Sequence, residues 1–376
     1  MKPAYKVPSM AEIEALPWNG YTVASTFSGA GGSCLGYRMA GYKVAYANEF
    51  IPAAQETYIA NNPNSYLDTR DIRTVSGAEI LEHAKVSKGE LDILDGSPPC
   101  AAFSANTSNK KTENWGRSKK YSDTTQVVDD LFFEYARLVG EIQPKVFVAE
   151  NVPGLVRGKA QGYYFRIFKA LQDKGYKVKT AVLNAQWLGV PQARRRVIFI
   201  GVRNDLNLEP TYPTPLSYYY NIQEAFKDIP ATKVKEEQGR ELIDIGGTQQ
   251  YDLWHLTKAG QGFDSVTKRL NDGSKRYLNF NQKEYALLFN SRKLHPQKPA
   301  NTLLQGNTYT YRWDIPRTLS IPELRRISSF PDDFVLTGKY EKRWERIGRA
   351  AVSYTHLRAD ETVLEIVCSV LLEKKK

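Results

Sequence analysis

The sequence predicts an α/β protein: an open, mostly parallel sheet with helices on both faces, joined by a smaller second module. Short β-prone runs alternate with helical patterns from residue 22 to residue 203, which is how parallel sheets are built. A glycine-rich turn follows the first of these runs. After Arg203 the texture changes to Asn, Gly, Pro and Tyr without a clear period.

The run TVASTF (22–27) predicts the first strand, and Ser28-Gly29-Ala30-Gly31-Gly32 the turn after it. A helix over Ser33 to Ala40 and a strand over Lys43 to Ala47 complete a βαβ opening. Further strands are expected at 91–95, 145–149, 178–183 and 196–202, with helices at about 127–141 and 163–174. The stretch 204–316 reads as a separate small module of short strands. Helical patterns return at 321–328 and 362–372.

Composition narrows the class. The chain has 376 residues, long enough for one large core and a smaller domain. At 41% hydrophobic and 25% charged it is ordinary for a globular enzyme. No run approaches the ~18 apolar residues of a membrane helix, and the first residues show no apolar signal-peptide core. Three cysteines (Cys34, Cys100, Cys368) make no disulfide framework and suit a reducing cytoplasm. No His/Cys cluster has metal-ligand spacing, so no metal is expected.

The net charge is +11. Residues 110–121 hold five Lys/Arg against one acid, and residues 255–312 hold ten against three, which together equal the whole excess. The second window also carries Tyr277, Phe280, Tyr285, Phe289, Tyr309 and Tyr311. Basic residues interleaved with aromatic ones suit phosphate contacts and base stacking, although any single lysine is more simply a solvated side chain.

Glycines at a strand-to-helix turn let the backbone approach a ligand at a helix N-terminus. The spacing here is G-x-G-G (Gly29, Gly31, Gly32) rather than the G-x-G-x-x-G of dinucleotide folds. Glu49, in YANEF at the tip of the second strand, lies where such folds bond ribose hydroxyls. Asp71-Ile72 falls where a third strand would end; a plain turn or helix cap is the alternative reading.

DGSPPCAAFS (95–104) places Cys100 past the carboxyl end of a strand, the ligand-binding rim of an open α/β sheet. Pro98 and Pro99 stiffen the approach, and the basic stretch that follows would lower the thiol's pKa. VFVAENVPGL puts Glu150 and Asn151 at the end of a buried strand, where a carboxylate is costly. GVPQARRRVIFIG places Gln192, Arg194 and Arg196 at the entrance of another strand. Thiol, acid and arginine thus converge on one sheet edge.

Those stretches, in this order, resemble the DNA (cytosine-5) methyltransferases. STFSGAGG is similar to that family's first motif and GSPPCAAFS to its Pro-Cys motif. ENVPGL and QARRR match its acid and arginine motifs, and RTLSIPELRRISSFPDDF (317–334) the motif that braces its recognition domain. Order and spacing agree over about residues 21–202 and 317–348. The resemblance implies a Rossmann-like S-adenosylmethionine-dependent methyltransferase fold with a small target-recognition domain. Residues 1–202 and 317–376 would form the catalytic and cofactor-binding domain, and 203–316 the DNA-binding one.

The resemblance also implies residue roles. Cys100 would attack carbon 6 of a flipped cytosine, making carbon 5 able to take a methyl group from S-adenosylmethionine. Glu150 would bond, and in effect protonate, ring nitrogen 3. Arg196, with Arg194, would orient the base and its phosphate. Phe27, Ser28, Gly29, Gly31, Gly32, Glu49, Asp71, Ile72 and Pro98 would shape the cofactor site, and Ser104, Asn151 and Gln192 would touch substrate. The implied partner is double-stranded DNA, with a cognate restriction endonuclease acting separately; a monomer in a bacterial or phage-infected cytoplasm is expected. A tRNA cytosine methyltransferase or a catalytically impaired DNA-binding relic remains open at this point.

The family pattern is broken in three places: at Ala101, in the module 203–316, which resembles nothing that reveals a sequence preference, and at the C-terminus. Ala101 stands where Gln is usual, and Arg349 where Asn should follow Gly348. The tail from 353 reads as translated sequencing adapter rather than native sequence. Val363, Val367, Val370 and Leu371 nevertheless make a helical stripe there, the alternative being a divergent native helix.

Overall fold

The computed structural model describes residues 2–99, 119–121, 124–126, 130–230, 249–266, 291–305 and 310–350. The chain divides into two compact units. One comprises Met10–Leu188, Arg195–Pro215 and Ala350–Lys376; the other comprises Met1–Ser9, Gly189–Arg194 and Leu216–Arg349.

The larger unit opens with the short helix α1 (Met10–Glu14) and is organised by a seven-stranded sheet. Its strands are β1 (Thr22–Thr26), β2 (Lys43–Asn48), β3 (Tyr66–Asp68), β4 (Ile93–Gly96), β5 (Val146–Asn151), β6 (Tyr176–Asn184) and β7 (Arg195–Arg203). They lie in the order β3-β2-β1-β4-β5-β7-β6. The first five neighbours pair in parallel, and β7 runs antiparallel between β5 and β6. The switch of direction at β1, from which the chain builds outward on either side, is where open sheets of this kind bind ligands.

Central strands are buried on both faces, which explains why TVAST and VFVAEN read as continuous rather than alternating runs. One face packs Ala24, Leu94, Phe147, Ala149, Val197 and Phe199 against α4 (Gly77–Ala84), α5 (Leu131–Ile142) and α6 (Gln161–Gln172). The other face packs Val23, Ile93, Val148, Ile198 and Ile200 with Cys34 and Tyr37 of α2 (Gly32–Met39) and Tyr58 of α3 (Pro52–Asn61). Tyr135 of α5 crosses beneath the sheet centre, donating its hydroxyl to the Leu94 and Val148 carbonyls at 2.9 and 3.0 Å. Its ring leaves no room for a side chain at Gly96, where a Cβ would stand 2.4 Å from it.

The smaller unit has a core of its own: Leu253 and Trp254 on α8 (Gln249–Leu256), with Phe263, Val266 and Tyr311. It also contains the short helices α7 (Ile222–Ala225) and α9 (Ile321–Ile327), and α10 (Tyr340–Arg349). α9 begins with a capping box between Ser320 and Glu323, and buried Glu323 accepts from both Arg312 and Arg317. Two expectations meet a different outcome in this unit. Tyr311 stacks on Phe263 in the core rather than presenting a face to a nucleobase, and Lys293 lies buried over the Trp254 ring. The other aromatic residues of that basic window lie outside the described residues.

α3 and α4 were not expected from the sequence, and the expected third strand ends at Asp68 rather than at Asp71. α5 starts at Leu131, and β4 begins only at Ile93. Asp92 is drawn instead into accepting from the Thr22 N–H and the Lys145 ammonium. Among the described residues no helix is long and apolar enough to cross a membrane.

Candidate active site

Register places the ends of five strands on one rim of the sheet. Thr26 pairs with Asn48 and Gly96, Asn48 with Asp68, and Gly96 with Ala149. Because β7 is antiparallel to β5, its first residues reach the same rim, with Val197 opposite Asn151. Residues 26–29, 48–49, 96–99, 150–151 and 196 are therefore neighbours there although the chain visits them far apart.

The turn after β1 is tight and left-handed. Phe27 (φ 55°), Gly29 (φ 57°) and Gly31 (φ 85°) all have positive φ, which for Phe is rare and points to a constrained, functional segment. At Gly31 a Cβ would come within 2.9 Å of the Asn62 amide, so the turn needs glycine for space as well as for φ. Glu49, almost fully buried, accepts from the Gly29 N–H and from the Ile51 N–H, each at 2.7 Å. Ser28 donates its N–H to the Asn48 carbonyl, and its hydroxyl to the Ser25 carbonyl and hydroxyl. Asn48 reaches across to the carbonyls of Asp68 and Arg70, tying the second loop to the third.

Asp71 caps a short 3₁₀ turn, its carboxylate accepting from the Arg73 N–H and pairing with the Arg73 guanidinium. Ile72 beside it is buried. Burial alone would raise the pKa of neighbouring Asp68; hydrogen bonds from the Arg70 guanidinium and N–H outweigh it and hold that carboxyl below the usual range.

At the centre of the rim, Glu150 is 8% exposed and pairs with Arg196, whose Nε lies 2.8 Å from Oε1. Asn151 donates to the Pro98 carbonyl at 3.2 Å and accepts from the Val152 N–H, fixing the start of the proline segment against the end of β5. Glu150 stands on the sheet face of Val146 and Val148, where an unpaired charge would be costly, so the arginine is what makes the carboxylate tolerable. Cys100 and Ser104 lie outside the described residues, as do Ala101, most of the basic stretch 110–121 and the tail from 351.

The other two predicted residues stand in the smaller unit and are engaged within it. Gln192 donates to the Ile327 carbonyl and the Ser328 hydroxyl and accepts from the Leu303 N–H. Arg194, buried, donates to the carbonyls of Leu303 and Gly348. Arg196 is the arginine seen paired with Glu150.

Cys34 can be set aside as a nucleophile. It is fully buried, and burial together with the nearby Asp95 charge pushes its thiol up to about 11, so it stays protonated. Asp95, which the sequence reading passed over, is a buried carboxylate on β4 accepting from Ser25 and Ser33. The legible signal is a second acid, after Asp92, inside the otherwise apolar run LDILDG.

This rim, on a Rossmann-like sheet, has the layout of a group-transfer enzyme of the α/β methyltransferase class. A family model of C-5 cytosine-specific DNA methylases matches residues 21–356. Among curated proteins the chain is 30% identical over 349 residues to Type II methyltransferase M1.HphI of Haemophilus parahaemolyticus, spanning 92% of this chain and 87% of that one. It is also 30% identical to Type II methyltransferase M.DdeI of Desulfomicrobium norvegicum, spanning 87% and 85%. A prophage-encoded protein of E. coli described as a DNA modification methyltransferase superposes with a TM-score of 0.66 at 23% identity, covering 93% of this chain and all (100%) of that one. Spodoptera frugiperda DNMT2 superposes at 0.57 with 13% identity, covering 92% and 100%. At such identities these last two likenesses concern the fold. The chain belongs to the C-5 cytosine-specific DNA methylase family, and is by that membership an enzyme, a DNA (cytosine-5) methyltransferase.

Proposed function

We propose that the protein is a site-specific modification methyltransferase of the Type II kind, protecting host or phage DNA, and that it acts on a cytosine flipped out of the duplex. The observation that carries this reading is the Glu150–Arg196 pair on the rim that β4 leaves toward Pro98-Pro99-Cys100. A group-transfer site for a pyrimidine needs an acid that can meet a ring nitrogen and a nucleophile beside it, and Glu150 stands on the edge to which Asn151 holds the Pro98 carbonyl, two residues before Cys100 in sequence.

Cys100, as thiolate, adds to carbon 6 of the cytosine, forming the carbon–sulfur bond and shifting electron density to carbon 5. Glu150 hydrogen-bonds ring nitrogen 3 and supplies the proton that the addition requires there. Arg196 holds the Glu150 carboxylate in place and stabilises charge that develops on the base. S-adenosylmethionine, when bound, supplies the methyl group that carbon 5 takes up. Water, as the base, then takes the carbon-5 proton; that electron pair re-forms the ring double bond and expels the thiolate, while ring nitrogen 3 returns its proton to Glu150 and the enzyme is restored. The base must leave the stack first, at a cost of a few kcal/mol, because a stacked cytosine shows neither face to a protein thiol.

The residues of the turn suit that cofactor. Glycines 29, 31 and 32 bring the backbone close, and the Glu49 carboxylate, with about four acceptor directions, suits vicinal ribose hydroxyls. Phe27, Ser28, Asp71, Ile72 and Pro98 would complete the walls. Residues 203–316 are assigned to target recognition and 1–202 with 317–376 to catalysis, on the strength of the basic and aromatic residues concentrated in the first of these. Asn151 and Ser104 would meet the substrate.

Duplex DNA carrying 5-fluorocytosine tests this directly, since fluorine cannot leave as a proton does. With S-adenosylmethionine the protein should form a covalent adduct that Cys100→Ser abolishes, and plasmid from an expressing host should show 5-methylcytosine at one sequence. Absence of both adduct and methylation would sink the proposal.

A further inference from the structure

Asp95 is 1% exposed, in the middle of the sheet, and no step of the proposed chemistry uses it. Burying a carboxylate is expensive unless donors surround it, so its presence needs a reason. The donors are specific. Ser25 Oγ and Ser33 Oγ each donate to Oδ2 at 2.8 Å, and Tyr37 donates to Oδ1 at 3.4 Å. Ser25 in turn receives the Ser28 hydroxyl at 3.1 Å. Through these bonds one carboxylate is tied to the end of β1, to the glycine turn and to the first two turns of α2. Only four residues separate Asp95 from Cys100, two of them prolines that transmit its placement with little slack. Ser97 donates its N–H to the Thr26 carbonyl, and Asn151 clamps the Pro98 carbonyl, so the segment is tethered on both sides as it leaves β4.

We propose that Asp95 is a positioning residue: it holds the cofactor-binding turn, residues 28–33, and the segment that carries Cys100 in one fixed relation. An apolar residue there would fill the space but leave three hydroxyls to rotate independently, and the turn could then shift relative to β4. This inference rests on the reading of Cys100 as nucleophile and of the turn as the S-adenosylmethionine site.

Two constants read it. The dissociation constant of S-adenosylhomocysteine, by calorimetry, reports the turn. The single-turnover rate constant for adduct formation with 5-fluorocytosine DNA and saturating S-adenosylmethionine reports the thiol. Asp95→Asn should raise the first and lower the second, each by about tenfold, since charge-assisted hydrogen bonds are the ones lost. Ser33→Ala should shift both in the same direction by less, and add little on the Asp95→Asn background. A residue needed only for folding would reduce binding stoichiometry and adduct amplitude while leaving both constants unchanged, and that result overturns the inference. So does a change confined to one constant, which would make Asp95 part of one loop alone. If Asp95→Asn does not fold, Ser25→Ala and Ser33→Ala remove single donors and are read the same way. A wild-type protein that forms no adduct would fail the proposed function first, leaving the two failures distinguishable.

Discussion

Glu150 and Arg196 are 46 positions apart in sequence, yet the guanidinium Nε stands 2.8 Å from the carboxylate because β7 runs antiparallel to β5 and begins where β5 ends. Glu150 is buried, while Arg196 keeps about 16% of its side chain exposed. Removing one member strands the other in a desolvated place, which costs about 3–5 kcal/mol in comparable buried pairs.

Glu150→Gln should therefore fold with reduced stability and lose catalysis far beyond that loss. A group that supplies a proton in the transition state contributes roughly 10²–10⁴-fold, so single-turnover methylation should slow by at least about a hundredfold. Equal rates for Glu150→Gln and wild type would remove Glu150 from the mechanism.

Gly96→Ala should destabilise the larger unit by about 1–3 kcal/mol, the usual cost of overpacking a rigid core. The added methyl would meet the Tyr135 ring, which cannot retreat without breaking its bonds to Leu94 and Val148. Thermal unfolding would show this, and pairing the change with Tyr135→Ala should recover part of the loss.

Gln192→Ala and Arg194→Met should act through stability. Their polar atoms satisfy Leu303, Ile327, Ser328 and Gly348 within the smaller unit, and leaving such groups unpaired costs about 1–3 kcal/mol each. The melting temperature should fall, while the salt dependence of DNA binding, which counts phosphate contacts, should stay the same. A reduced salt slope for Arg194→Met would instead mark it as a phosphate ligand.

Glu323 gives the smaller unit an acid sensitivity of known sign. Burial raises its pKa, but the Arg317 and Arg312 guanidinium groups outweigh that and hold it below its ordinary value of 4.5. A carboxyl depressed in the folded state contributes stability that is complete above its unfolded value and is lost as pH falls through its folded one. Stability measured from pH 7 downward should thus stay level on this account until about 4.5 and then decline. Glu323→Gln should be less stable at neutral pH and show a shallower decline.

Glu150 was readable from the sequence because it ends a strongly apolar strand, after VFVA; Cys100, after LDILDGSPP, lies outside the described residues. The bounds of β3 were not legible because only three residues form it, two of them not fully buried. α4 carried a readable sign, the Ser76–Glu79 capping box, and α10 another, Tyr340, Trp344 and Ile347 at helical spacing. What no linear pattern could supply was partner choice. Three arginines in a row, 194 to 196, differ in nothing but parity and what the fold brings near. Asp95 likewise gains its meaning from Ser33, which is far from it in sequence.

The division of the chain has a practical consequence for exchanging the smaller unit between relatives. The smaller unit is assembled from three separate pieces, and its middle piece, Gly189–Arg194, is spliced into the connection just ahead of Arg196. A chimera cut only at residues 203 and 316 would inherit part of the smaller unit without the hexapeptide that contributes Gln192 and Arg194 to it. Grafts that carry 189–194 along with 216–349 from the same donor should assemble; grafts that mix donors at that point should not.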